Sequence, residues 1–98
     1  MARYLVRWAI SAAGTPTDAK ERGNAWLALL QMVRKDIENG LVKDWGTIPA
    51  EGKGYFVFEG TNLQLMNMTQ RYTPAVLFKV SPTVTIEEAS EMLSTMTG

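Results

Sequence analysis

The sequence predicts one α+β domain over residues 1–98, with elements in the order β-α-β-β-α-β and a further helix at the end. Three observations carry this. Apolar residues alternate with period two in short segments near 3–11 and 75–81, and a continuous aromatic run fills 55–59. A long segment near 16–39 repeats apolar residues at helical spacing instead. Two later segments open with Thr-x-x-Gln and Thr-x-x-Glu, the pattern of a helix capping box. With 98 residues, 46% of them hydrophobic and 20% charged, the chain can build one core and is too apolar to stay unfolded.

In the first strand Tyr4, Val6, Trp8 and Ile10 share one face, and Leu5, Arg7 and Ala9 share the other. β-branched and aromatic residues suit a pleated surface, and apolar residues on both faces suggest a central strand. Residues 12–14 form a loop. Thr15 is expected to cap the first helix, with Pro16 in its first turn, where a missing N–H costs nothing. Ala19, Trp26, Leu29, Leu30, Val33 and Ile37 then form its apolar stripe, and Gly40 suits a left-handed stop. Residues 41–48 read as a second strand, more polar and broken by Gly46. Pro49, Gly52 and Gly54 mark the turn into a continuous aromatic strand at 55–59, so these two strands should form a hairpin. Thr61 and Gln64 open a second helix, expected to run to about Tyr72 and to end at Thr73-Pro74. Residues 75–81 form the fourth strand. Thr85 and Glu88 open the terminal helix, with Ala89, Met92, Leu93 and Met96 on one stripe.

This order is the split β-α-β of ferredoxin-like folds. Right-handed crossovers give an antiparallel sheet in the order 4-1-3-2, with strands one and three central, although these two are read as parallel to each other. Tyr4, Val6, Trp8, Ile10, Phe56, Phe58, Val76, Phe78 and Val80 form the greasier face and should lie under the two helices. The opposite face carries Leu5, Arg7, Ala9, Tyr55, Val57, Glu59, Leu77 and Lys79. No helix of the basic motif covers it, and monomers rarely expose an apolar patch beyond a few hundred Å². Leu5, Val57 and Leu77 are therefore expected at a homodimer face, unless the terminal helix covers them.

The chain has no cysteine and no histidine. This excludes disulfides, thiolate nucleophiles, imidazole bases and His-ligated zinc or haem. No Gly-x-Gly-x-x-Gly follows a strand, so no flavin or nucleotide fingerprint exists, and no cofactor or transition metal is expected. Ten Lys/Arg balance ten Asp/Glu, which argues against a basic nucleic-acid surface. No apolar run reaches the ~20 residues needed to cross a bilayer, and no signal peptide is recognisable, so a cytoplasmic setting is the expectation.

The element order, the stretch from Gly40-Leu41-Val42 through Trp45-Gly46 into Gly52-Lys53-Gly54-Tyr55-Phe56-Val57-Phe58, and Arg71-Tyr72-Thr73-Pro74 leading into 75–80 together resemble the dimeric α+β barrel superfamily. The resemblance spans nearly the whole chain and is strongest to the small muconolactone-isomerase-like and uncharacterised members. It implies two sheets facing each other across a twofold axis and a pocket between helices and sheet or inside the barrel. Known members include cofactor-free monooxygenases, isomerases, and haem-degrading and dye-decolourising enzymes. Several of the enzymes use a His that this chain lacks, so the resemblance implies the fold and the dimer but no catalytic residue.

Two function classes follow. One is a cofactor-independent isomerase or monooxygenase-like enzyme acting on a small apolar or aromatic compound. The other is a non-catalytic small-molecule-binding or regulatory module. Whether the protein is an enzyme turns on whether its pocket holds an ionisable group of strongly perturbed pKa. Arg7, Glu59 and Lys79 share strand parity and would form an anion-orienting cluster with Glu59 as base; the competing reading is an interface ion-pair network. Trp45 and Tyr55 are the candidate pocket residues, while Trp8 and Trp26 read as core. Met66, Met68, Met92 and Met96 suit gap-filling in a core or interface, or an adaptable binding wall. Asp44, Glu51, Glu87, Glu88 and Glu91 have no metal-loop spacing. Residues 53–58 partly match the third-strand signature of RNA-recognition domains. The small residue after the first aromatic is missing, so Tyr55 alone among those aromatics faces outward, and RNA binding is disfavoured.

Overall fold

The computed structural model describes residues 2–98. Its elements are β1 (Ala2–Ile10), a 3-10 turn (Ala12–Gly14), α1 (Ala19–Glu38), β2 (Val42–Ile48), β3 (Lys53–Gly60), α2 (Asn62–Gln70), β4 (Val76–Pro82) and α3 (Ile86–Thr97). The four strands form one sheet in the order β2-β3-β1-β4, as the crossover argument requires. The arrangement is an α+β fold compatible with the ferredoxin-like class.

The sheet is antiparallel throughout, as expected, and only the reading of strands one and three as parallel to each other is overturned. β1 and β3 are neighbours but run antiparallel, Arg3 facing Glu59 and Arg7 facing Tyr55. β1 also pairs antiparallel with β4, and β2 with β3. The reason is topological: the hairpin reverses the chain between β2 and β3. A strand that α1 returns parallel to β1 therefore hands an antiparallel neighbour back to β1.

The start of α1 is also later than the Thr15-Pro16 pattern suggests. Asp18 is the cap, its carboxylate accepting from the Glu21 backbone N–H at 3.0 Å. Thr15 is diverted, because its hydroxyl donates to the Ser11 carbonyl at 2.8 Å and closes the 3-10 turn. The Arg22 guanidinium donates to the Pro16 and Thr17 carbonyls and so keeps this segment outside the helix. At the other end Gly40 takes a φ of 80°, the left-handed stop that a glycine supplies without strain. Both Thr capping boxes form as read, Thr61 with Gln64 and Thr85 with Glu88.

The core lies between the sheet and the first two helices. Val6, Trp8, Phe56, Phe58 and Val76 are buried on the sheet side, with Leu65 and Met68 of α2 and Tyr72 against them. α1 contributes Leu29, Met32 and Val33, all only partly buried. Val80, although of the same parity, is exposed near the end of edge strand β4. The opposite sheet face is bare. α3 does not cover it: none of its residues is buried, and the molecule is 61 Å long. No helix of the described residues is long and apolar enough to cross a membrane.

Candidate functional site

Because α1 stands off the sheet, it leaves an apolar cavity of about 200 Å³ beneath it. Its floor is a pair of indoles. Trp8 and Trp45 stack with ring centroids 5.5 Å apart and planes 9° from parallel. The stack depends on a bulge in β2. The pairing passes from Lys43 opposite Val57 to Gly46 opposite Tyr55, so β2 holds one extra residue there. Asp44 absorbs the turn at a φ of 49°. In a regular strand Trp45, three residues after the inward Val42, would point away from the helices; the extra residue turns it inward.

Gly54 makes room for this floor. A Cβ on it would lie 2.6 Å from Cζ2 of Trp8 and 2.1 Å from the Gly46 carbonyl oxygen. The helix wall is Trp26, Leu29, Leu30 and Val33. Trp26 sits at the mouth, 37% exposed, where its Nε1 donates to the Gly14 carbonyl at 2.9 Å and Arg22 lies 5.9 Å over its ring. It is therefore not the core residue its place on the helical stripe suggests. The far wall is Phe78, edge-on to both Tyr72 and Phe56 with centroids 5.7 and 6.3 Å away.

The polar anchor is Asp36, which is 0% exposed. Its carboxylate accepts from Arg71 Nη2 at 2.7 Å and from the Tyr72 hydroxyl at 2.6 Å. These bonds tie α1 to the turn after α2 and so fix how far α1 stands from the sheet. Burial pushes the Tyr72 phenol well above its ordinary pKa; the hydrogen bond to Asp36 and the Asp36 charge add to this, and Arg71 opposes it. Tyr72 also lines the cavity, so the ionisable group of the cavity is held as a neutral phenol already committed as a donor. The Trp8 Nε1 is buried without a partner among the described residues.

The sequence-predicted residues divide between the two faces. Trp45 lines the cavity. Tyr55 lies on the bare face, its ring packed over Gly46, where a Cβ would come within 2.7 Å of it. Arg7 and Lys79 are directly opposite each other on that face, and Arg7 donates to Ser81 Oγ at 2.9 Å. Glu59 is not with them. It pairs with Arg3 at 3.8 Å, four residues or about 13 Å along the strand. The three groups are thus not a base-and-anion constellation. Leu5 and Val57 are half-buried on the bare face, and Leu77 is 61% exposed. Of the four methionines singled out, Met68 is core, while Met66, Met92 and Met96 are exposed. Among the described residues, no three His, Cys, Asp or Glu side chains converge so as to hold a metal ion.

The tie of Asp36 to Arg71 and Tyr72 is not among the expected site features. The signal was present: Asp36 falls on the apolar stripe of α1, three residues after Val33 and seven after Leu29. A carboxylate at such a position demands buried donors. The sequence matches no protein-family model, and no curated protein matches it.

Proposed function

We propose that the protein is a non-catalytic small-molecule-binding module of the dimeric α+β barrel type, which takes a flat, largely apolar compound into the cavity between α1 and the sheet and works as a homodimer. The carrying observation is the chemistry of the cavity wall. Aromatic and aliphatic side chains make up nearly all of it, and its ionisable member, Tyr72, has its hydroxyl engaged by Asp36. An enzyme abstracting or delivering a proton needs a group with a free proton or lone pair facing the substrate. This wall offers stacking and exclusion of water instead, which favours the binder over the isomerase or monooxygenase reading. The volume suits one or two fused rings, since a cavity of about 150 Å³ accommodates benzene. The resemblance to the superfamily supports both the place of the pocket and the use of the bare sheet face in assembly. For nucleic acid, stacking needs two or three exposed sheet aromatics, and Tyr55 is one.

The test is titration of the protein with naphthalene and with indole, followed by tryptophan fluorescence and calorimetry. Saturable one-to-one binding that Trp45→Ala weakens is the expected result. Absence of saturation up to the solubility of both probes would overturn the reading.

A further inference from the structure

The cavity wall carries no Lys, Arg, Asp or Glu, but a cation stands at its mouth. Arg22 lies one turn before Trp26 and two turns before Leu29, so it continues the stripe by which α1 faces the cavity. Two turns beyond Leu29 the same stripe ends on Asp36. These two charged ends differ in their partners. Asp36 is fully buried and accepts from Arg71 and Tyr72. Arg22 is half-buried, and among the described residues no carboxylate pairs with it. Asp18, one turn earlier, is taken up as the cap of α1. The Arg22 guanidinium is nonetheless held in place. Its Nη1 donates to the Pro16 and Thr17 carbonyls, both at 3.2 Å, and the group lies 5.9 Å from the centre of the Trp26 ring. Those two bonds use the hydrogens of Nη1. Nε and Nη2 have no acceptor among the described residues, and together they form a guanidinium edge that can give a carboxylate two parallel hydrogen bonds.

We infer that the ligand of the cavity is a flat aromatic acid, its rings against the Trp8–Trp45 floor and its carboxylate at the mouth on the free Nε–Nη2 edge of Arg22. Three arguments support this. The first is what Arg22 leaves over. Holding residues 16–17 outside the helix needs only N–H donors, and Nη1 supplies them; it accounts for neither the positive charge nor the free edge. The backbone carbonyls and the Trp26 ring hold the group before any ligand arrives, so little side-chain freedom remains to be lost on binding. The second is the contrast between mouth and interior. An apolar wall rejects a carboxylate, because an ion buried without partners is costly. An aromatic acid therefore has one favourable orientation, rings inward and charge outward. The third is reach. At 1.5 Å per residue, Arg22 stands about 10 Å along α1 from Leu29 in the helix wall, a span that two fused rings and a carboxyl group can bridge. One cation with one free edge matches a single carboxylate. The inference rests on the reading of the cavity as a ligand site, and adds the charge and the orientation of what occupies it.

The probes are 2-naphthoate and its uncharged counterpart 2-naphthamide, which share their rings and nearly their shape, with naphthalene as the reference. Calorimetric titration of the full chain at low salt should show naphthoate bound about fivefold more tightly than naphthamide, the upper range for a partly exposed ion pair. High salt should remove most of this preference, and Arg22→Gln all of it. Glutamine keeps an N–H donor for the carbonyls of residues 16–17. A merely structural role of Arg22 would lower the affinity for both probes together and leave their ratio intact, which would overturn the inference. If near-ultraviolet circular dichroism shows that Arg22→Gln does not fold, the salt dependence of the unmodified chain decides, and a ratio that salt does not change overturns the inference. Binding of naphthalene and naphthamide with no gain for naphthoate overturns it too, while leaving the ligand site standing. A preference for naphthoate that survives in Arg22→Gln places the carboxylate elsewhere and has the same effect. If none of the three compounds binds, the reading of the cavity as a ligand site falls, and the inference with it.

Discussion

Replacing Asp36 by alanine probes the one fully buried charge among the described residues. The carboxylate accepts two hydrogen bonds, from a buried phenol and from a guanidinium whose side chain is 43% exposed. The two losses are unequal. Hydrogen bonds to charged groups contribute about 1.5–3 kcal/mol, and a buried donor left unmatched costs about 1–3 kcal/mol. Arg71 can turn to water when its partner goes, so its share falls to the about 0–1 kcal/mol of an exposed ion pair. Tyr72, 5% exposed, cannot. Asp36→Ala should therefore cost about 3 kcal/mol. Tyr72→Phe leaves the carboxylate with Arg71 and removes a single bond, at about 1.5 kcal/mol. Urea unfolding followed by tryptophan fluorescence measures both. With a slope of about 1–2 kcal/mol per molar for a chain of this size, the midpoints should fall by about 1.5–3 M and 0.8–1.5 M respectively. A double-mutant cycle should find Asp36 coupled more strongly to Tyr72 than to Arg71. Equal costs for the two single variants, or an Asp36→Ala loss under about 0.5 kcal/mol, would refute the reasoning that places the tie between α1 and the α2–β4 turn in these bonds.

Other outcomes follow from the same geometry. Because the Tyr72 phenol is held above its unfolded pKa, the folded state keeps a proton that the unfolded state loses above about pH 10. This contribution to stability is fully present below pH 10 and declines as pH rises beyond it; stability measured from pH 9 to 11.5 should fall, and less steeply in Tyr72→Phe. Gly54→Ala should cost about 1–3 kcal/mol by overpacking against Trp8, and should reduce naphthalene binding more than stability alone explains. Thr61→Ala removes the capping box of α2 and should lower stability by about 0.5–2 kcal/mol in thermal unfolding, with cavity binding unchanged. Leu77→Asp should give monomers or aggregates by light scattering, whereas Lys35→Glu on the exposed side of α1 should leave assembly as it is.

Much of the fold was legible because its signals are local and redundant. Phe56 and Phe58 alternate with Tyr55 and Val57, and that parity placed every one of them on the correct face. Both Thr capping boxes need only residues three apart. What failed needed distant information. Trp45 is legible as a pocket candidate, but its facing is not, because that depends on a bulge set by pairing with β3 rather than by β2 itself. Thr15 does not cap α1 because its hydroxyl is held by the Ser11 carbonyl in the preceding turn. Glu59 shares parity with Arg7 and Lys79, but register separates them, and parity carries no register. Asp36, a carboxylate on an apolar stripe, reads as noise until Arg71 and Tyr72 are brought to it from thirty-five and thirty-six residues away.

The two glycines that meet across β2 and β3 have a consequence for how the sequence can drift. Gly46 bears the Tyr55 ring on the bare face, and Gly54 bears the Trp8 ring on the cavity face, with the Gly46 carbonyl oxygen against the place a Gly54 Cβ would take. Gly46 is obligatory only while the Tyr55 ring lies across it, whereas Gly54 is held both by the Trp8 ring and by the Gly46 carbonyl oxygen. A lineage that shrinks Trp8 frees part of the space at Gly54, and one that shrinks Tyr55 frees Gly46. Neither glycine can acquire a side chain first without dislodging a ring. Descendants of this chain should therefore change the aromatic before its glycine, and Gly54 only where the strand pairing with Gly46 has shifted too. The pair that has changed tells which face of the sheet has lost its task.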